Sequence, residues 1–247
     1  MSLQIKEIHN PKIKPQQIIK EKMDMYVEGI PDYLPRKNGG ISIFCGAGGS
    51  GKTQLLMSLF RSKELYKQKF TNVWYICPMS SFLSLENHPM KNHKRVHFDL
   101  TSGLLEEIFS ELVAIKEANE DETEQEYSCV ILDDQADCLK QKDIQRVLNK
   151  MLIKARHLCC SFIFTLQSYL YYPRMLRKQL TNAVLFKTRN KAEFEIISGE
   201  LLNMKKENAL TLFNYCFDKP YNHLDIDITD GKLYKNWHEL ILNEDTN

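Results

Sequence analysis

An excess of charge of either sign is missing from this 247-residue sequence: 33 Lys and Arg stand against 32 Asp and Glu, a formal net charge of +1. Bulk charge therefore speaks neither for nor against a polyanionic partner, and any surface for one must come from local clusters. Missing too is an apolar run approaching the ~18 residues of a membrane span. Residues 1–10, with their Gln, Lys, Glu and His, lack the apolar core of a secretory signal. A soluble, intracellular protein with no membrane partner is expected. The seven cysteines (45, 77, 129, 138, 159, 160 and 216) are odd in number and include no C-x-x-C pair. That argues against a zinc or dithiol site and for a reducing compartment, where several of them serve as small buried hydrophobes. Internal repeats and low-complexity linkers are absent as well. The simplest organisation is an N-terminal arm, residues 1–38, followed by one core domain, residues 39–247.

What is present is an alternation of short apolar strands with amphipathic helices. The arm is rich in Lys, Ile and Gln, and over residues 5–22 it reads as irregular chain leading into a short helix. Pro31, Pro35 and Gly39–Gly40 then punctuate it. Strands are expected at 41–45, 73–77, 95–100, 129–132, 161–166 and 183–187. Helices are expected at 52–63, 104–118, 143–156, 173–180, 192–202 and 206–217. The helices rest on apolar faces at i, i+3, i+4 spacing, such as Ile144, Val147, Leu148, Met151 and Leu152. Residues 117–126, an acidic stretch, read as a solvated loop. Residues 221–237 alternate around a Thr-Asp-Gly turn at 229–231, which predicts a terminal hairpin. The sum is an α/β fold: a three-layer arrangement with a mostly parallel central sheet flanked by helices and a short C-terminal β-hairpin.

Gly46-Ala47-Gly48-Gly49-Ser50-Gly51-Lys52-Thr53 fits G-x-x-x-x-G-K-[ST] in full, with an apolar strand before it and an amphipathic helix after it. In such a P-loop (Walker A) backbone N–H groups turn inward around phosphates, and the helix N-terminus adds its positive dipole end. Lys52 would reach the β- and γ-phosphates of ATP, and the Thr53 hydroxyl would ligate Mg²⁺. Val130-Ile131-Leu132-Asp133-Asp134 is an apolar strand ending in two carboxylates, the pattern of a Walker B acid pair. A buried parallel strand delivers its last residue to the carboxyl edge of the sheet, so Asp133 is placed to hold the Mg²⁺ shell. Asp134 could then take the proton of an attacking water. Relatives of this type often carry Glu at the second acid; Asp is one methylene shorter, so water would sit closer or be reached through a second water. Asp137 reads as a surface or capping residue.

Residues 161–168 form another apolar strand with a polar end. If that strand lies between the loop strand and the acid strand, Gln167 (or Thr165) points at the γ-phosphate and can position water. Hydrolysis also needs positive charge on the transferring phosphoryl group beyond Lys52, and an arginine finger supplies about 10³–10⁵ in rate. Arg156, Arg174, Arg177 and Arg189 are the candidates. Arg156 ends a helix where a neighbouring subunit could present it, and Arg177 follows Gln167 closely.

These residues carry a resemblance. Gly46–Thr53, Val130–Asp134, Arg156-His157 and the run Phe164-Thr165-Leu166-Gln167-Ser168-Tyr169, followed by Pro173 and Arg177, resemble the poxvirus-type DNA-packaging ATPases of large DNA viruses and virophages. These belong to the FtsK–HerA division of P-loop NTPases. The resemblance covers roughly residues 41–187. Its specific part is the Arg-His, Gln-Ser-Tyr and Pro-x-x-x-Arg arrangement. It implies a strand inserted between the loop and acid strands with a polar Gln at its tip, adjacent aspartates in the family's manner, and homo-oligomeric rings. It further implies ATP-driven translocation of double-stranded DNA into a preformed capsid, hence a capsid or packaging-vertex partner. The place of action would be the cytoplasm of an infected host cell, at the assembly site, or the virion. Leu166 departs from the pattern, standing where a second polar residue is common, and neither arm nor tail takes part.

A motor that tracks duplex DNA needs charge directed at phosphates rather than base readout. Residues 91–95, 61–69 and 174–191 are basic clusters, the last preceded by Tyr169, Tyr171 and Tyr172. Two other classes remain open from residues alone. A P-loop kinase of a small metabolite would bind its acceptor near residues 75–80, although an adjacent acid pair and Gln167 would activate water unhelpfully. A nucleotide-dependent switch protein would bind the same ligand with negligible turnover.

Overall fold

The computed structural model describes residues 26–118 and 126–242. The expected arm helix and most of the acidic stretch lie outside the described residues. Among the described residues nine strands are formed: β1 (Ile41–Cys45), β2 (Asn72–Ile76), β3 (Val96–His97), β4 (Ser128–Asp133), β5 (Cys160–Leu166), β6 (Asn182–Phe186), β7 (His223–Asp227), β8 (Lys232–Lys235) and β9 (His238–Leu240). They make one sheet in the order β3-β2-β4-β5-β1-β6-β7-β8-β9. From β3 to β6 neighbours run parallel; from β6 onward they run antiparallel.

The helices are α1 (Lys52–Leu59), α2 (Met79–Leu83), α3 (Ser102–Ala118), α4 (Lys142–Lys154), α5 (Arg174–Arg177), α6 (Lys191–Glu200) and α7 (Lys206–Cys216). The central strands read as unbroken apolar runs because both faces are covered. Alternate residues divide between two cores. Ile41, Ile43, Trp74, Ile76, Val130, Leu132, Phe162 and Phe164 join residues of α3, α4, α6 and α7. Phe44, Val73, Tyr75, Ile131, Ile163 and Val184 join α1, and with it Val27, Ile30 and Leu34 from the described part of the arm. The three-layer expectation thus follows from period-two alternation, with one core per face.

Element boundaries differ in instructive places. α1 stops at Leu59 rather than 63 because the chain doubles back: Tyr66 N donates to Leu59 O (3.0 Å). Tyr66 then packs edge-on against Phe60 and Phe70 and donates its hydroxyl to Pro35 O (2.7 Å). α3 begins two residues early, where Thr101 Oγ1 accepts from Leu104 N (3.1 Å) as an N-cap. The strand expected at 95–100 shrinks to two residues at the sheet edge, paired only with β2. α5 is a single turn, with Pro173 as its N-cap. The tail forms the expected hairpin and adds a third strand, β9, on its outer side.

Candidate active site at the carboxyl edge of the sheet

β5 lies between β1 and β4, with Cys45 opposite Leu166 and Asp133 opposite Thr165. Three parallel strands in register end together, so the phosphate loop, the acid pair and Gln167 emerge side by side. This is the arrangement on which the Gln167 expectation depended.

The loop leaves β1 with Gly46 N donating to Leu166 O (3.1 Å). A side chain at Gly46 would meet Phe186 Cβ at 2.6 Å, so only glycine allows the loop to pass β6. Gly51, the N-cap of α1, has φ +95°, a left-handed conformation open to glycine at little cost. Lys52 is buried, and its ammonium donates to Gly46 O (2.6 Å) and Ala47 O (3.0 Å). Burial lowers its pKa, while Cys45, Asp134 and Asp133 nearby pull it back up.

Asp133 is the hub. It is fully buried, yet its carboxylate accepts from three hydroxyls: Thr53 Oγ1 on Oδ1 (3.0 Å), Thr165 Oγ1 on Oδ1, and Tyr75 OH on Oδ2 (2.6 Å). A buried carboxylate held this way needs no mobile partner to keep its orientation. The donor set suits Mg²⁺, a hard cation that prefers oxygen. Two oxygens side by side in an octahedron with ~2.1 Å bonds lie about 3.0 Å apart, which is the Thr53–Asp133 separation.

Asp134 differs from its neighbour in every respect. It is partly exposed and its φ is +54°. Its amide donates to both Thr165 O and Thr165 Oγ1 at 3.1 Å. This left-handed turn swings its carboxylate off the strand toward Gln167, whose Nε2 donates to Asp134 Oδ1 (3.3 Å). Gln167 is exposed. One amide and one carboxylate therefore face solvent together beside the loop, as a pair that could hold and deprotonate a water.

The arginines separate. Arg156 is exposed in the turn between α4 and β5, at the amino edge of the sheet, with its backbone against Gly39. Within its own chain it is on the wrong edge for the phosphates, so a finger role for it requires a neighbouring subunit. Arg177, the other finger candidate, is engaged within its own chain. Its Nε donates to Tyr172 O (3.1 Å), its Nη1 to Glu200 Oε2 (3.1 Å), and its guanidinium lies over the Tyr169 ring at 4.6 Å. It pins the turn after Gln167 to α6. The grouping of three tyrosines with the 174–191 basic cluster also changes, because Tyr169 and Tyr172 are buried and only Tyr171 is exposed. Arg95 is similarly engaged, stacking on Trp74 and donating to Asn72 Oδ1 (2.7 Å). Asp137 is a surface residue paired with Lys140 (2.7 Å).

Three contributors escaped sequence reading. Tyr75, mid-strand in an apolar run, gives no sign that its hydroxyl reaches Asp133. His88 stands behind it, its Nε2 3.4 Å from Tyr75 OH and its ring stacked on Phe82. Glu193, buried on α6, accepts from Ser168 Oγ (2.8 Å), Tyr169 N (2.5 Å) and Thr188 Oγ1. It ties the Gln167 tip to the loop after β6. A lone Glu in an otherwise mixed helix carried no signal.

Comparison with known proteins accords with this fold. B204, the DNA-packaging ATPase from Sulfolobus turreted icosahedral virus, superposes with a TM-score of 0.57 at 20% identity, covering 83% of this chain and 98% of that chain. The genome packaging NTPase B204 from Sulfolobus turreted icosahedral virus 2, in complex with ATP-gammaS, gives 0.55 at 19% identity, with 83% and 99% covered. ATPases 2 and 3 of EssC from Geobacillus thermodenitrificans give 0.59 at 18%, with 84% and 41% covered. At such identities the likeness is one of fold. No curated protein matches the chain by sequence. The family model described as Poxvirus A32 protein matches residues 36–236, and on that match the chain belongs to the poxvirus A32 protein family.

Proposed function

We propose that this chain is an Mg²⁺-dependent, DNA-stimulated ATPase that drives double-stranded viral DNA into a preformed capsid as a homo-oligomeric ring. Family membership and fold support the coarser statement, a genome-packaging ATPase. The observation that carries hydrolysis, the step on which the finer one depends, is the Gln167–Asp134 pair at 3.3 Å beside the phosphate loop. A kinase gains nothing from a water-holding pair at that place, and a nucleotide-binding protein with negligible turnover has no need of one.

The roles follow from position. Gly46 to Thr53 cradle the phosphates, with Lys52 on the β- and γ-oxygens. Thr53 and Asp133 would hold Mg²⁺, which when bound supplies charge neutralisation at the phosphates. Gln167 orients the attacking water and Asp134 receives its proton. Arg156 acts in trans, from the neighbouring subunit's exposed α4–β5 turn. Exposed Lys178, Lys187, Arg189 and Lys191 supply phosphate contacts toward a pore. Residues 39–247 act as a single motor domain, with the arm docking on a capsid or packaging-vertex protein or on the next subunit. The work is done in the cytoplasm of an infected cell.

The test is ATP hydrolysis across protein concentration, with and without double-stranded DNA, for wild type, Lys52→Ala and Arg156→Ala. Turnover should rise with concentration and with DNA and vanish in Lys52→Ala. It should reappear when the two variants are mixed, because each supplies what the other lacks. Turnover linear in protein and indifferent to DNA would remove the ring-motor reading.

A further inference from the structure

The C-terminal hairpin does more than close the sheet. β7 runs antiparallel to β6, so His223 at its start pairs with Phe186 at the end of β6. The turn that precedes β7 therefore comes up at the same edge as the phosphate loop. In that turn stands Tyr221, whose Cδ1 is 3.4 Å from where a Cβ on Gly51 would lie. Its ring is thus in van der Waals reach of the glycine that opens α1.

Three features of Tyr221 are hard to explain by folding alone. It is 70% exposed, so its ring gains little from burial. Its backbone is left-handed, φ +65°, which is costly for an aromatic residue. The turn is nevertheless tied down on both sides. Asn222 Nδ2 donates to Asp218 Oδ1 (2.7 Å), Asn236 Nδ2 to Asn222 Oδ1 (2.9 Å), and His223 N to Asn236 Oδ1 (2.9 Å). These hydrogen bonds fix the turn that presents an unburied ring beside the first turn of α1.

We propose that Tyr221 is the platform on which the base of the bound nucleoside triphosphate stacks. The proposal rests on the reading of Gly46–Thr53 as the phosphate cradle. Phosphates seated on the loop's N–H groups leave the sugar and base to extend past Gly51, beside which the ring lies exposed. Every base has a π-face, so this ring favours purines over pyrimidines by contact area and does not by itself separate adenine from guanine.

The experiment uses the full chain with Mg²⁺ and compares binding of ATP, CTP and inorganic tripolyphosphate to wild type, Tyr221→Ala and Tyr221→Phe. Tyr221→Ala should weaken ATP by about five- to a hundredfold, the range of one base–aromatic stack, and leave tripolyphosphate unchanged. Tyr221→Phe should bind ATP like wild type. In Tyr221→Trp, ATP should quench the new indole's fluorescence and tripolyphosphate should not. The proposal is overturned if Tyr221→Ala binds ATP normally, or if it loses tripolyphosphate to the same extent, which would mark a damaged loop. If wild type binds neither ligand, the cradle reading fails first and the platform falls with it.

Discussion

The centre and the flank of the same sheet edge are built on opposite terms. At the centre, where β1, β5 and β4 end, the groups nearest the strands are buried and answer one another: Asp133 accepts three hydroxyls, and Lys52 is held on two loop carbonyls, while Asp134 and Gln167 just beyond them turn to solvent. At the flank, beyond β6, a cleft of about 390 Å³ opens between Lys187–Lys191 and α7, and Tyr221 is exposed in the turn before β7. Topology is the cause. Parallel strands reach the edge once each and are walled on both sides by neighbours, which fixes their tips. Where the sheet turns antiparallel, one strand leaves and the next enters at the same edge, so two loops meet there and side chains stay accessible. Chemistry that depends on angles of a few degrees sits in the first setting, and recognition that tolerates several ligands sits in the second.

The sharpest way to break that contrast lies between two adjacent carboxylates. Asp133→Asn puts an amide donor against hydroxyl donors in a buried site. It should abolish Mg²⁺-dependent tightening of ATP binding and cut turnover by about 10²-fold or more. Asp134→Asn keeps the size and loses only the proton acceptor. Turnover should fall by about 10²–10⁴-fold with ATP affinity kept. Equilibrium binding and single-turnover hydrolysis, measured on both variants, decide it. Loss of ATP binding in Asp134→Asn, or wild-type turnover in it, would erase the division of labour.

What the sequence disclosed follows the same line. The phosphate loop was legible because its eight residues are contiguous and its chemistry is backbone chemistry. Asp133 was legible because a buried strand announces its own end. Tyr75 was not, since its bond to Asp133 spans 58 positions and a tyrosine amid Val73, Trp74 and Ile76 reads as core. Tyr221 escaped because only the pairing of β6 with β7 brings it to Gly51. The engagement of Arg177 stayed hidden for the converse reason: its spacing after Gln167 is visible, but its partner Glu200 on another helix is not. The end of α1 was overrun because apolar periodicity continues through Phe60, and the reversal is set by Tyr66 packing beneath it.

Arg177 joins flank to centre, and its loss should be felt as stability. Arg177→Ala removes the Glu200 pair, two backbone contacts and a stacked ring. Its side chain is 12% exposed, but that of Glu200 is 39% exposed, so water takes over part of the loss. A cost of about 2 kcal/mol is expected in thermal or urea unfolding. Arg156→Ala, on the exposed turn, should stay within about 0.5 kcal/mol. Equal effects from the two would mean that Arg177 does not brace the Gln167 tip.

The smallest effect concerns the other side of the centre, where His88 backs Tyr75. Burial lowers the pKa of this imidazole; the Asp133 carboxylate opposes that shift and Arg61 adds to it. In the unfolded chain the ring titrates near the ordinary histidine value of about 6.5, above its folded value. Protonation therefore favours unfolding. The full stability is present above the ordinary value and declines as pH falls below it. Urea unfolding between neutral and mildly acidic pH should show this decline in wild type, and His88→Gln should flatten it. An unchanged slope in that variant would assign the pH response to another group.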